Sequence, residues 1–449
     1  MSKAYIVAVD MGYGHQRAVF PLEYLAELPE GWKDLASPII SANNYPGIPK
    51  RDRKRWENTR KVYEWISKMR SVPYIGILIF SIMDYFQRVP VFYPKRDLSG
   101  PSLQVYQIYS MIKGGLGKHL IDTLNEKPLP FLTSFFMTAF FAEEHGYKGE
   151  IYCLCTDTDI SRAWAPLHPE KSRIIYLAPN HRVKERLLLY GIREEKIITT
   201  GFPLPKDALG DEDSLSFAKE SAYRRIVKLD PSGTYRQKYQ TIISECFDVN
   251  NKIESKPVNL TFAIGGAGAQ AEIGAKILIS LKDIIANGEI KLNLIVGTSK
   301  VLFDKYSEII LEKESLRESS EKGFIKIIYN SDKFSYFREF TKTIIETDVL
   351  WTKPSELSFY AGLGLPILIA PTLGSQEDRN KEWLHSIKAG IDQGDPEFAN
   401  QWFMDWLNEG KFAELVTNGF LNAPKRGTYH IESLLLKGEK EEIENIHRL

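Results

Sequence analysis

A chain of 449 residues is longer than one hydrophobic core usually serves, so it divides into at least two domains. With 43% hydrophobic and 26% charged residues it is a foldable sequence, which excludes a disordered or fibrous chain. Lys plus Arg and Asp plus Glu each total 58, and that balance excludes the basic field of a nonspecific nucleic-acid binder.

The first predicted element is a strand over 4–10, followed by Met11-Gly12-Tyr13-Gly14-His15 and a helical pattern over 16–28. This opening reads as the start of a doubly wound α/β domain and not as a signal peptide. After a strand at 39–41 comes a basic run, Lys50-Arg51-Asp52-Arg53-Lys54-Arg55, which leads into a helix over 55–69. The run is either a solvated face or an attraction for anionic lipid, with Trp56, Trp65 and Tyr74 as interfacial aromatics. The longest apolar run, 72–83, falls short of the ~20 residues that span a bilayer, so it is either core or an interfacial segment.

Helices over 102–125 and 135–145 then alternate with strands at 130–133, 151–156, 173–177 and 197–200, the pattern of a parallel sheet covered by helices. Cys153 and Cys155 sit in one apolar strand, and with Cys246 they are too few for a disulfide framework, so a reducing cytoplasm is the expected location. Residues 206–257 turn polar and read as a connection carrying some helix. A second α/β series follows: strand 259–264, a glycine turn, a helix over 271–286, and strands at 292–297, 324–330, 348–352 and 366–371. The tail over 429–449 has the pattern of an amphipathic helix. The expected domains are therefore 1–205, the connection 206–257, 258–425, and a last helix in 426–449 that crosses back to the first.

Three constellations carry chemistry. In the first, glycines directly after the opening strand let the backbone turn sharply, and His15 begins a helix where it can take a proton from a hydroxyl near neutral pH. The alternative is a histidine that only caps its own helix. In the second, Gly265-Gly266-Ala267-Gly268 precedes Gln270 and a helix, so its amides could cradle a pyrophosphate; no Gly-Lys-Ser/Thr follows, which disfavours an ATP-hydrolysing phosphate loop. In the third, Lys353-Pro354-Ser355-Glu356 and Gly374-Ser375-Gln376-Glu377 stand at strand ends ahead of helices, where carboxylates and amides can meet ribose and sugar hydroxyls. Glu356 could equally serve only its helix dipole, and Gln376 only its turn.

The order of these motifs, together with Thr156-Asp157, the segment 182–203 with Tyr190-Gly191-Ile192 and Thr200-Gly201, and KPSE…GLP…GSQE..N, resembles one family. It is the family of monogalactosyldiacylglycerol synthase, the processive diacylglycerol glucosyltransferases and the lipid-linked N-acetylglucosaminyltransferase of peptidoglycan synthesis. The likeness spans 5 to about 385. It implies an α/β GT-B fold of two Rossmann-like doubly wound domains facing a central cleft, a UDP-sugar as co-substrate, inversion, and no obligatory cofactor or metal. It implies a catalytic His15 and an Asp157 that orients the acceptor or the histidine. Gly12, Gly14, Arg17, Thr133 and Arg162 fall on the acceptor side. Gly265, Gly266, Gly268, Gln270, Lys353, Ser355, Glu356, Gln376, Glu377 and Asn380 fall on the donor side.

Two departures stand out. The family's ribose-binding glutamate, five residues before the Gly-Leu-Pro glycine, is Phe359 here, which leaves Glu356 to take over. Where relatives often have Thr-His-Pro, this chain has Thr133-Ser134-Phe135-Phe136. The expected activity is sugar transfer from a nucleotide sugar to an acceptor hydroxyl, with lipid among the acceptors and the inner membrane face as a possible working place. The enzymatic alternative is a UDP-N-acetylglucosamine 2-epimerase-like reaction, for which Asp157, Glu356 and Glu377 could supply the acids. A catalytically silent nucleotide-sugar-binding module is the third reading.

Overall fold

A computed structural model describes residues 3–33, 35–69, 88–247, 257–263, 270–372 and 374–443. The chain divides into two compact units. The first comprises Met1–Pro203, Gly374–Arg379 and Arg426–Leu449, and the second Leu204–Leu373 and Asn380–Lys425.

The first unit is built on a parallel sheet of β1 (Tyr5–Ala8), β2 (Ile40–Ser41), β3 (Phe131–Thr133), β4 (Ile151–Leu154), β5 (Ile175–Leu177) and β6 (Ile197–Ile198), in the order β2-β1-β3-β4-β5-β6. Every residue of β1, β3 and β4 is buried, as expected for parallel strands covered on both faces. The order reverses at β1, whose Tyr5, Ile6 and Val7 pair with Phe131, Leu132 and Thr133. Cys153 and Cys155 are wholly buried in and just beyond β4, and burial pushes both thiols above their ordinary range.

Helices flank this sheet, and their starts follow the sequence. Ser102 and Asn180 each accept a backbone N–H three residues on, capping Leu103–Lys113 and His181–Leu189. The helix at Lys50–Met69 starts within the basic run and buries Asp52 and Trp56, one turn apart. Asp52 accepts from the Gly117 amide at 3.2 Å, and Arg55 donates to the carbonyls of Met111 and Gly114. Trp56 therefore belongs to the core, which corrects its reading as an interfacial aromatic. The 72–83 stretch and Tyr74 lie outside the described residues. No helix among the described residues is long and apolar enough to cross a membrane.

The second unit holds β7 (Val258–Ala263), β8 (Ile290–Gly297), β9 (Ile325–Tyr329), β10 (Val349–Thr352), β11 (Ile367–Ile369) and β12 (Gly390–Asp392), all parallel, in the order β12-β11-β10-β7-β8-β9. Here the order reverses between β7 and β10, where Ala263 pairs with Thr352. The chain is thus α/β with two Rossmann-like doubly wound domains, the make-up of the GT-B class. The sequence reading omits β12 and the helices Ala399–Asn408 and Lys411–Asn422. Much of 206–257 is helical and is counted with the second unit, where Ser216–Lys228 buries Ala218, Ala222, Arg225 and Ile226.

The tail belongs to the first unit but its helix is shorter than its periodicity suggests. It runs Gly427–Lys437 and stops at Gly438, whose φ of 74° is the left-handed conformation that ends helices. His430 Nδ1 lies 2.8 Å from the Thr200 carbonyl, and the Ile443 amide donates to Thr199. At the helix start a Cβ on Gly427 would lie 2.4 Å from the Phe202 carbonyl oxygen. Gly427→Ala is therefore expected to destabilise the first unit by ~1–3 kcal/mol, read as a shift of the denaturant midpoint. An unchanged midpoint would mean that the helix can shift at no cost.

Candidate active site

Ligands of doubly wound sheets bind outside the carboxyl ends of the strands where the order reverses. In the first unit that place is the pair β1 and β3. Beyond Ala8 the chain turns through Gly12, whose φ of 102° strains any side-chain-bearing residue, into the helix Gly14–Val19. His15 stands in its first turn and does not cap it, because its Nδ1 lies 2.8 Å from the Ser134 carbonyl beyond β3. A carbonyl only accepts, so Nδ1 carries the proton and Nε2 of the neutral ring keeps its lone pair. Ser134 Oγ donates in return to the His15 carbonyl at 2.7 Å, and the Phe135 ring meets the imidazole edge-on at 4.8 Å. The half-buried ring is thus fixed in place and in tautomer by the segment that departs from the family pattern.

Other acceptor-side expectations fare differently. Arg17 is buried, with its guanidinium 5.7 Å from the Tyr13 ring. Thr133 is fully buried, and its hydroxyl bonds Thr138 and the Phe135 backbone, which makes it a turn residue facing inward. Arg162 likewise turns to the carbonyls of Ser99, Ala165 and Pro166, so it braces backbone and does not project toward a ligand. Asp157 is half-buried just past β4, and its charge adds to burial and Cys153 in raising the Cys155 thiol. Two residues on, Asp159 meets Arg186 through two bonds of 2.8 and 2.7 Å in the interior and anchors the loop that carries Asp157.

Sequence reasoning overlooked a pocket at this same end of the sheet. It has a volume of about 250 Å³ and is lined by Asp10, Asn43, Asn44, Arg53, Trp56 and Glu57. Asn43 clips the ends of β1 and β2 together: its Oδ1 accepts from the Asp10 amide at 2.8 Å, and its Nδ2 donates to the Asp10 carbonyl at 3.1 Å. The signal available in the sequence is Asn43-Asn44 directly after the short second strand.

In the second unit the equivalent place lies beyond β7 and β10. Gly265, Gly266 and Gly268 lie outside the described residues. Gln270, which follows them, is buried; its Nε2 donates to the Pro371 carbonyl at 3.0 Å, and its Oε1 has no partner among the described residues. Lys353 and Ser355 are half-buried beyond β10, and Ser355 caps the 3-10 helix Glu356–Leu363 through the Leu357 amide. Glu356 is buried at 8% exposure in that helix's first turn. Phe359, at 1%, packs 5.4 Å from the Trp383 ring and is a core residue. Asn380 is fully buried and lies within 3.5 Å of the Pro354 carbonyl, tying the helix Ser375–Ser386 to the loop after β10. Gln376 and Glu377, in the first turn of that helix, are half-buried and fall in the segment Gly374–Arg379 counted with the first unit. No three His, Cys, Asp or Glu among the described residues converge to hold a metal ion.

A family profile described as "Domain of unknown function (DUF6938)" matches residues 239–401. No curated protein matches the chain. Among solved structures, the S. aureus MnaA–UDP co-structure is 13% identical, with 98% of this chain and 99% of that one covered and a TM-score of 0.44. The UDP-GlcNAc 2-epimerase from Methanocaldococcus jannaschii is 13% identical, with 97% and 99% covered and a TM-score of 0.43. The glycosyltransferase SnogD from Streptomyces nogalater is 9% identical, with 97% and 100% covered and a TM-score of 0.42.

Proposed function

We propose that this chain is a GT-B-type glycosyltransferase that moves a sugar from a UDP-sugar to an acceptor hydroxyl with inversion at the anomeric carbon. The observation that carries this reading is the His15 ring, held by the Ser134 carbonyl in the tautomer whose Nε2 lone pair can act as a base, at the point where the first sheet reverses. Nε2 takes the proton of the acceptor hydroxyl while that oxygen attacks the anomeric carbon and the bond to the diphosphate breaks. The positive charge that develops on the ring is stabilised at Nδ1–H by the same carbonyl. UDP leaves with the electron pair of the broken bond. Asp157 orients the acceptor from the end of β4.

On the donor side, Gln270 offers its Oε1, which has no partner among the described residues, and Glu356 its carboxylate to hydroxyls of the nucleotide sugar. Lys353 and Ser355 complete the set in the second unit, with Asn380 positioning the loop it ties down. A screen of nucleotide sugars by thermal shift tests the donor class, because a ligand that binds only the folded state raises its stability. UDP-sugars are expected to stabilise and adenine nucleotides are not; no shift with any UDP-sugar would remove the reading.

A matched pair of variants tests the donor assignment. Glu356→Ala is expected to weaken UDP-sugar binding at least tenfold, about 1.4 kcal/mol, because a ribose diol would lose its carboxylate partner. Phe359→Leu keeps an apolar side chain in an apolar site and should cost under ~1.5 kcal/mol of stability with little change in affinity. Equal, small effects on binding in a calorimetric titration would mean that the ribose is held elsewhere.

A further inference from the structure

The pocket of Asp10, Asn43, Asn44, Arg53, Trp56 and Glu57 has no role in the account so far, and its chemistry is specific. We propose that it binds one neutral polyhydroxylated ring, the sugar-like head of the acceptor. Its volume of about 250 Å³ is just under the ~300–1,000 Å³ of pockets that enclose drug-sized ligands, so it seats a single ring and not an extended chain. Among the described residues, five of the six that line it are polar, which disfavours an acyl tail. The described lining offers two carboxylates, two carboxamides and one guanidinium, an array of hydrogen-bonding groups of both kinds. What remains is a ligand that both donates and accepts around a ring, which carboxylates, carboxamides and a guanidinium satisfy together.

The lining is also preorganised. Asn43 is locked to both backbone groups of Asp10 and to the Ser41 hydroxyl at 3.0 Å, which fixes the pocket's inner edge. Trp56, at 4% exposure, supplies an immobile apolar wall for the ring's C–H face. The Trp56 ring lies 6.4 Å from Phe135 and the His15 ring 4.8 Å from the same residue, so pocket and base share one aromatic neighbour. Of the basic run, Arg55 is engaged with backbone carbonyls while Arg53 borders the pocket; at that residue the run serves ligand recognition and not a lipid surface. The assignment of this ligand as the acceptor rests on the transferase reading, whereas the pocket's affinity for a polyol does not.

The test uses the full-length chain and three probes, the methyl glycosides of glucose, galactose and N-acetylglucosamine, followed by saturation-transfer NMR with a UDP titration on the same samples. At least one glycoside is expected to bind at ~10 mM or below, and the exposed-residue double variant Asn44→Ala, Glu57→Gln should weaken it at least tenfold while thermal unfolding and UDP binding stay unchanged. Silence of all three glycosides at ~10 mM, or binding undiminished in the double variant, overturns the proposal. So does competition by inorganic phosphate, or adsorption to phosphatidylglycerol vesicles that the double variant abolishes, since either assigns the pocket to another ligand. UDP binding with silent glycosides removes the pocket alone; glycoside binding without UDP binding removes the donor reading and leaves the pocket standing.

Discussion

His15→Ala should lower turnover by about two to four orders of magnitude while leaving UDP binding nearly intact, since that is the size of general-base contributions. The expectation follows from the ring's surroundings. Ser134 fixes both the backbone and the imidazole of His15, and Phe135 packs against the ring, so Nδ1 donates to the protein and the lone pair for chemistry is that of Nε2. Steady-state rates with saturating donor, together with a calorimetric UDP titration, separate the two effects. Turnover within threefold of the parent would take His15 out of the mechanism. Loss of UDP binding along with turnover would instead make it a structural residue.

Arg225→Ala should produce the largest stability loss, roughly 3–5 kcal/mol against the 5–15 kcal/mol that holds a typical domain together. Its guanidinium is 1% exposed and donates to the Thr347 carbonyl at 2.8 Å and the Leu363 carbonyl at 2.7 Å, with Ile345 at 3.5 Å. Two of these carbonyls sit where the helix Lys333–Glu346 ends and the third where Glu356–Leu363 ends, so the buried charge lies against the negative poles of two helices. Burial first, and then the neighbouring Arg224, lower its pKa to about 9, which still leaves it charged at neutral pH. Truncation removes the donor to the Thr347 and Leu363 carbonyls at ~1–3 kcal/mol each, while Ile345 keeps Arg224 at 2.8 Å, and adds a cavity. Arg225→Lys keeps the charge but cannot span three carbonyls, and should fall between. Because the two helix ends bracket β10 and the loop bearing Lys353, Ser355 and Glu356, UDP affinity should fall with stability. Urea unfolding reads the first effect, and a loss below ~1 kcal/mol would mean that the carbonyls find other donors.

The two parallel sheets were legible because strands buried on both faces leave continuous apolar runs, as in the opening strand and in β10. The turn at Gly12 was legible too, since glycines directly after a strand mark a sharp turn, and its φ of 102° is that turn. Ser134 was visible only as a departure, because the group that holds His15 is its backbone carbonyl and side-chain patterns carry no record of that. Trp56 was misread because a tryptophan beside a basic run looks the same whether it faces lipid or core. The decisive clue was Asp52 four residues earlier, whose burial marks the inward stripe of the helix. The backbone partners of Arg162 and Thr133 were not legible, because polar residues at strand ends and turns are needed by the backbone as often as by a ligand. The pocket escaped notice because its residues come from three separate segments, at 10, 43–44 and 53–57, that only the fold assembles.

The central claim is sugar transfer, and a product assay tests it most directly. The UDP-sugar that most stabilises the chain would be incubated with it and the best-bound methyl glycoside, and the mixture resolved by chromatography with mass detection. The account predicts free UDP and a disaccharide glycoside formed in equal amounts, with both abolished in His15→Ala. An isomerised UDP-sugar with no UDP released would show an epimerase instead, and saturable binding with an unchanged UDP-sugar would show a module that binds without turning over.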